Sequence, residues 1–205
     1  MPGSRTEKTQ SCLQLSIVLQ SLLARWGIAS RIFGGSMCCI HSNAAGTAFG
    51  WGGFWDKDHH VWLVTEFGEL VDYSIRYCHL HPGRSRDDYL AIPPLWFKSP
   101  LPTIFWYVPE GVLGGTELPA EEQSQLDALP AEAGRIANIL LDTLEATDLG
   151  TNNILFGIHS LDEFWKRRDP WTLAANRLVP LLGRPPDWML NRAKELGLIP
   201  TTAAL

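Results

Sequence analysis

The sequence predicts an α+β fold in which a central N-terminal helix packs on an antiparallel sheet and a helical C-terminal half follows. Three observations lead there. Apolar residues at Leu15, Val18, Leu19, Leu22, Leu23 and Trp26 recur at the three-to-four spacing of a helix. Short runs rich in β-branched and aromatic residues come next, separated by Gly, Asn or Pro. Beyond Gly114 the chain turns polar, acidic and helix-forming.

Each element can be read in order. Leu13 and Ile17 add apolar surface to further faces of the first helix, which makes it central, and Gly27 stands where a helix ends. Ser11 and Gln14 have the S-x-x-Q spacing of a capping box, which makes Ser11 the N-cap and Cys12 the first helical residue. The runs "IASRIFGG", "GTAFGWGGFW", "HHVWLVT", "ELVDYSI" and "TIFWYV" are the expected strands. "TELPAEEQSQLDALP" then leads into a helix, "AGRIANILLDTLEATD", with Ile136, Ile139, Leu140 and Leu144 on its buried face. Ser160 and Glu163 form a second capping-box signature, Pro170 and Pro180 interrupt the stretch after it, and "PPDWMLNRAKELG" closes the chain as a helix. The expected organisation is a core over residues 1–113 and a helical extension over 114–205 packed on it as one domain.

Composition narrows the function. A chain of 205 residues with 45% hydrophobic side chains can bury a full core. A net charge of -5 without a basic stripe argues against nucleic-acid and anionic-membrane partners and leaves a small-molecule or peptide substrate. The polar "MPGSRTEKTQ" lacks the order of a signal peptide, and no apolar run nears the roughly 18 residues of a span, so a cytoplasmic location is expected. No signal speaks to oligomeric state. Nine tryptophans spread from Trp26 to Trp188 read mostly as core or pocket walls.

The four cysteines are too few and too irregular for a disulfide framework and read as reduced thiols. "CCIH" at Cys38, Cys39 and His41, with "CHLH" at Cys78, His79 and His81, offers zinc-ligand chemistry. Adjacent cysteines lack the usual spacer, however, and would point to opposite faces of a strand. They read as core thiols and loop histidines, and no metal is expected.

Cys12 is different. Unpaired amides and the positive dipole end at a helix start favour a thiolate and can hold an oxyanion. A nucleophile needs a base and a group to orient it. "DHHVWLVTEFGELVDYS" supplies both if Glu66, Phe67 and Gly68 close a hairpin with Gly68 left-handed. Thr65 then pairs with Glu69, Trp62 faces Asp72, and His60 lies on the same sheet face as Asp72, one diagonal away. A one-residue slip would substitute His59.

At these residues a family resemblance enters. "CLQLSIVLQSLLARWGIASRIFGG", then "HVWLV" and "LVD", resembles the transglutaminase-like branch of the papain-like cysteine enzymes, with its nearest echo in lasso-peptide leader peptidases. The resemblance runs from about Ser11 to Ser74, and "GIASR" and "HVWLV" stand for that family's "GIPAR"-like turn and "HAWVE" strand. It implies Cys12 as nucleophile, His60 as general base and acid, and Asp72 as the group orienting the imidazole. Only eleven residues precede Cys12, and Gln10 is the nearest candidate for an upstream oxyanion-stabilising side chain. The "CCIHSNAAGTAFGWGGFWDKD" insertion is longer than in the leader peptidases. With Gln10, the tryptophans Trp51, Trp55 and Trp62 are the candidate substrate contacts.

Purely structural roles exist for each member: a core thiol on an apolar helix, a satisfied core imidazole, a carboxylate capping turn amides. The combination points to a cysteine-dependent hydrolase or acyl transferase that works through a thioester without metal or organic cofactor. The alternative is a non-catalytic protein that binds a peptide or partner on the same scaffold.

Overall fold

In a computed structural model, which describes residues 6–54, 59–80, 89–98, 103–113, 120–143 and 155–198, the chain is a mixed α+β structure. Helix α1 spans Thr6–Arg25 and is succeeded by the strands β1 (Ser30–Ser42), β2 (Phe49–Phe54), β3 (His60–Thr65) and β4 (Glu69–Asp72). A 3-10 helix over Ser74–Leu80 precedes β5 (Leu95–Lys98) and β6 (Phe105–Val112). Then come α2 (Ala120–Thr143), β7 (Leu155–Phe156), α3 (Gly157–Lys166), α4 (Pro170–Leu182) and α5 (Asp187–Glu195).

Strand β1 is the spine of the sheet. Its first half pairs with β3, from Ser30 opposite Thr65 to Gly35 opposite His60, and its second half pairs with β2, from Met37 opposite Phe54 to Ser42 opposite Phe49. Strand β6 pairs with the middle of β1, from Phe33 to Cys39, and overlaps both. β2 and β3 therefore share the other edge of β1 in succession. Met37 pairs with Phe54 and Gly35 with His60, so Ser36 alone separates the two pairings along β1. The β6 register shifts at the same place, between Gly34 and Gly35. A side chain at Gly35 has no room there, because a Cβ would run into the Val108 carbonyl oxygen.

From β3 the sheet continues through antiparallel β4 and β5 to β7, which lies parallel to β5. The sequence pattern did not reveal β5 and β7, both short, and "CCIHS", expected as part of an insertion, is the second half of β1. The C-terminal half thus adds a strand as well as helices. The "SLDE" box is not a helix start, since α3 begins upstream at Gly157. Pro170 does not break a helix but opens α4, where the Asp169 side chain accepts from Thr172 N. Helix α2 starts at Ala120 and carries Pro130 within it. The side chains of Ile136, Ile139 and Leu140 and the whole of Leu144 lie outside the described residues.

Among the described residues three core clusters hold these layers together; the smallest joins Cys38 and Val108 to Met189 and Ala193 of α5, and the other two lie on either side of the sheet. On one side Leu23 and Cys12 of α1 pack with Ile32, Val61, Leu63 and Val71 of the sheet. Helix α2 backs α1, and Arg25 bridges the two through Gly134 O and Asn138 Oδ1. On the other side Phe164, Trp171, Ala174, Ala175 and Leu178 of α3 and α4 pack with Met37, Ile40, Trp62, Leu70 and Phe97. The buried Trp171 Nε1 donates to Ile40 O at 2.9 Å, which ties α4 to the spine strand. Of the tryptophans, Trp26 and Trp165 are more than half exposed, so Trp26 does not belong to the buried stripe of α1. No helix among the described residues is long and apolar enough to cross a membrane.

The break in β1 yields a test. Gly35→Ala should lower stability by about 1–3 kcal/mol in urea denaturation, because the added methyl forces β1 and β6 apart. Gly50→Ala, where nothing lies within 4 Å of the new Cβ, should change it by less than about 0.5 kcal/mol.

Candidate active site

Local chemistry explains how the hairpin sets the site. Gly68 takes φ 75°, and its N–H donates to Thr65 O at 2.9 Å to close the three-residue loop. Leu63 then stands opposite Val71 and Val64 opposite Leu70, the register expected from the sequence. Strand alternation sends Val61, Leu63 and Val71 toward α1, leaving His60, Trp62 and Asp72 with the other parity.

The structure brings His60 and Asp72 into direct contact. His60 Nε2 lies 2.6 Å from Asp72 Oδ2, and both residues are 1% exposed. Tyr107 of β6 donates its hydroxyl to the same Oδ2, also at 2.6 Å. The other oxygen, Oδ1, accepts from Ser74 Oγ at 2.8 Å and from Ile75 N at 3.0 Å. Asp72 thus caps the start of the 3-10 helix with one oxygen and holds the imidazole with the other.

Electrostatics follow from this geometry. Burial opposes charge on both partners, but each supplies the opposite charge. Burial alone would lower the His60 pKa; Asp72, by charge and hydrogen bond, and then Cys12 outweigh it and push it up to about 10. Burial would raise Asp72, yet His60, Tyr107 and Ser74 hold its carboxyl below its ordinary value. Phe54 stacks on the imidazole with ring centroids 4.9 Å apart, a face well suited to a cation.

Cys12 reaches this pair from α1. Cys12, Ser16 and Leu23 are the buried residues of that helix among those described, at spacings that share one face. Ser16 Oγ meets Val61 O at 3.5 Å, setting the turn after Cys12 against the start of β3. Cys12 acts on the His60 ring both as hydrogen-bond partner and as charge. Since Nε2 is taken by Asp72, the nitrogen left for the thiol is Nδ1, which is buried and has no hydrogen bond of full geometry. Nucleophile and base are often this loosely joined before a substrate binds.

The helix start differs from the expectation. α1 begins at Thr6, so Cys12 sits in its second turn and Ser11 is not the N-cap. Nothing in "TEKTQ" breaks a helix, and Glu, Lys and Gln favour one, so the helix extends past the S-x-x-Q pattern. The free amides and the dipole effect belong to the first turn, so neither is at Cys12. Gln10 lies two residues upstream in α1, with its side chain outside the described residues, and Trp55 is outside them altogether. Trp51 is half-buried on β2, opposite Ile40. Trp62 is 2% exposed, edge-on to Tyr107 at 5.0 Å and stacked near His60 with ring centroids 6.2 Å apart.

His59 is held elsewhere. Its Nε2 lies 3.1 Å from Glu110 Oε2, and Glu110 also accepts from Arg192 of α5 and from Ser36 of β1. Arg192 above all, against burial and with help from Ser36 and His59, pulls the Glu110 carboxyl down to about 2. Cys38 and Cys39 divide as strand alternation requires, Cys38 packing with Met189 and Ala193 of α5 and Cys39 in the opposite core, which also holds Cys78 of the 3-10 helix. Burial pushes the Cys38 thiol up to about 12 and those of Cys39 and Cys78 well above the usual range. Among the described residues no three His, Cys, Asp or Glu side chains are grouped to hold a metal ion; the side chain of His79 and all of His81 lie outside them.

Sequence reasoning missed Tyr107, Phe54, Ser16 and Ser74. Ser74 had a local signal, a hydroxyl two residues after Asp72 in a turn. Tyr107 had none, being placed by strand pairing with Met37. Among known proteins, no family model, curated protein or solved structure matches the chain.

Stability should carry the signature of the buried pair. His60 contributes fully below its unfolded value near 6.5, and that contribution is lost as pH rises toward about 10. Asp72 contributes fully above 3.8, and that contribution is lost as pH falls through its lowered folded value. Urea denaturation across pH should therefore show a decline on both sides of that window, with the alkaline decline missing in Asp72→Asn. Asp72→Ala, which leaves a buried imidazole and three donors without their acceptor, should cost about 3–5 kcal/mol at neutral pH.

Proposed function

We propose that this chain is a cysteine-dependent hydrolase or acyl transferase acting on an amide, peptide or ester carbonyl, with Cys12 as nucleophile, His60 as proton carrier and Asp72 as the group that orients it. The observation that carries the reading is a buried imidazole with one nitrogen fixed on a carboxylate and the other left to a thiol. The order of these residues along the chain, and the resemblance of "CLQLSIVLQ…GIASR…HVWLV…LVD" to transglutaminase-like enzymes, support it further.

In this reading the reactive form is a Cys12 thiolate beside a His60 that already carries a proton on Nδ1, and the sulfur attacks the carbonyl carbon. The tetrahedral adduct collapses to a thioester as the leaving amine or alcohol takes the proton from His60. Water or an acceptor amine then gives a proton to His60 and attacks the thioester, and Cys12 is released as a thiolate beside the reprotonated imidazole. Asp72 stays ionised throughout and keeps Nε2 protonated, so that Nδ1 is the nitrogen that moves the proton.

Burial of Cys12, at 7% exposure, is the observation that favours the alternative of a non-catalytic binding protein. Iodoacetamide labelling of the native protein, resolved by mass spectrometry, separates the two. Preferential labelling of Cys12 over Cys38, Cys39 and Cys78, slowed at least about tenfold by His60→Ala, supports an activated nucleophile. Labelling that waits for unfolding supports the binding protein. With a substrate in hand, Cys12→Ala should lower kcat/KM on the order of a thousandfold or more. Wild-type kcat/KM should hold through the neutral range and fall as His60 loses its proton toward pH about 10.

A further inference from the structure

We infer that Tyr107 is a positioning residue of this site, whose hydroxyl shares Asp72 Oδ2 with His60 and thereby sets both the aim of the carboxylate and its hold on the imidazole proton. The inference rests on the cysteine-enzyme reading for its catalytic meaning, but its physical content concerns the pair alone.

The geometry is unusually restrictive. A carboxylate has about four acceptor sites, and Asp72 uses two on each oxygen: Ser74 Oγ and Ile75 N on Oδ1, His60 Nε2 and the Tyr107 hydroxyl on Oδ2. Only Oδ2 touches the imidazole, so among the neutral donors only Tyr107 competes with His60 for the same lone-pair density. A strong donor on Oδ2 draws charge away from the bond to Nε2, and without it the carboxylate would pull harder on the same proton. The other donors fix the carboxylate plane from the turn side, and Tyr107 fixes it from the sheet.

Tyr107 is itself rigid. Its backbone is paired opposite Met37 in β6, and its ring lies edge-on to Trp62 at 5.0 Å and tilted to His60 at 6.4 Å. Burial, followed by the neighbouring Asp72, holds its phenol well above the usual value, so it remains a donor wherever the pair is ionised. Three other titratable groups act on this cluster, Cys12 from α1, Cys39 from β1 and Cys78 from the 3-10 helix. Cys39 and Cys78 are held as neutral thiols by burial and do not compete as charges near neutral pH.

The test reads the His60 imidazole directly, by NMR titration of a selectively ¹⁵N-histidine-labelled full chain assigned with His60→Gln. Tyr107→Phe keeps the ring packing and removes the hydroxyl. It should raise the His60 pKa by about one unit, a tenfold change in proton affinity. Site-specific 3-fluorotyrosine at 107, a stronger donor of nearly the same size, should move it the opposite way. Shifts of opposite sign cannot come from a merely structural role, and the fluorinated variant keeps the test decisive if Tyr107→Phe fails to fold. A His60 titration that stays put in both variants, or moves the same way in both, overturns the inference. The titration needs no substrate. Inert Cys12 in the labelling experiment, together with opposite shifts here, would sink the enzyme reading and leave the Tyr107 assignment standing.

Discussion

The His60–Asp72 contact is the constraint on which the rest of the structure turns. Two charged groups removed from water lose several kcal/mol of hydration each, and their attraction offsets this only when the geometry is good and the remaining lone pairs are filled. Here they are filled by donors from three places: the imidazole on β3, the turn after β4 and the tyrosine on β6. None is interchangeable with a nearby residue. The sheet has to bring β3, β4 and β6 to one point, and β1, which pairs with β3 on one edge and β6 on the other, does this.

That role explains the odd middle of β1. A strand paired regularly on both edges would carry β2 straight into β3 and leave no place for the chain to turn His60 into the cluster. Instead both edges lose register around Gly35 and Ser36, and β3 begins with His60 at the break. Interruptions of this kind re-aim side chains. Ser36, the residue left unmatched by β2 and β3, spends its hydroxyl on Glu110, which also takes Arg192 and His59. The same irregularity that frees His60 therefore anchors α5 to the sheet and draws the neighbouring His59 out of competition for Asp72.

The features legible in the sequence are those that local chemistry determines. The hairpin register followed from a loop with a glycine at the left-handed position, and with it the shared parity of His60 and Asp72. The end of α1 followed from Gly27, whose φ of 74° and neighbouring amides close the helix. Distant pairing was not legible. Tyr107 and Phe54 come to the imidazole only because β6 and β2 pair with β1. The parallel strand β7 sits far along the chain from its partner β5, in a segment whose composition speaks for helices. A local signal also misled where two readings fitted: "SCLQ" has the spacing of a cap, but a helix-compatible run before it let the helix start a turn and a half earlier.

Asp72 bears on how any function should be judged. One of its oxygens starts the 3-10 helix and the other holds His60, so the residue would be kept by folding alone even if no reaction took place. The same applies to His60, whose loss would leave a buried carboxylate short of a partner. A stable, well-formed dyad is thus weak evidence of chemistry by itself. Cys12 lies on the buried face of α1 and packs with Ile32, Val61, Leu63 and Val71, so it too has a structural reading. What sets it apart is chemistry, a thiol that acts on the His60 imidazole, and the catalytic reading is argued from that pairing.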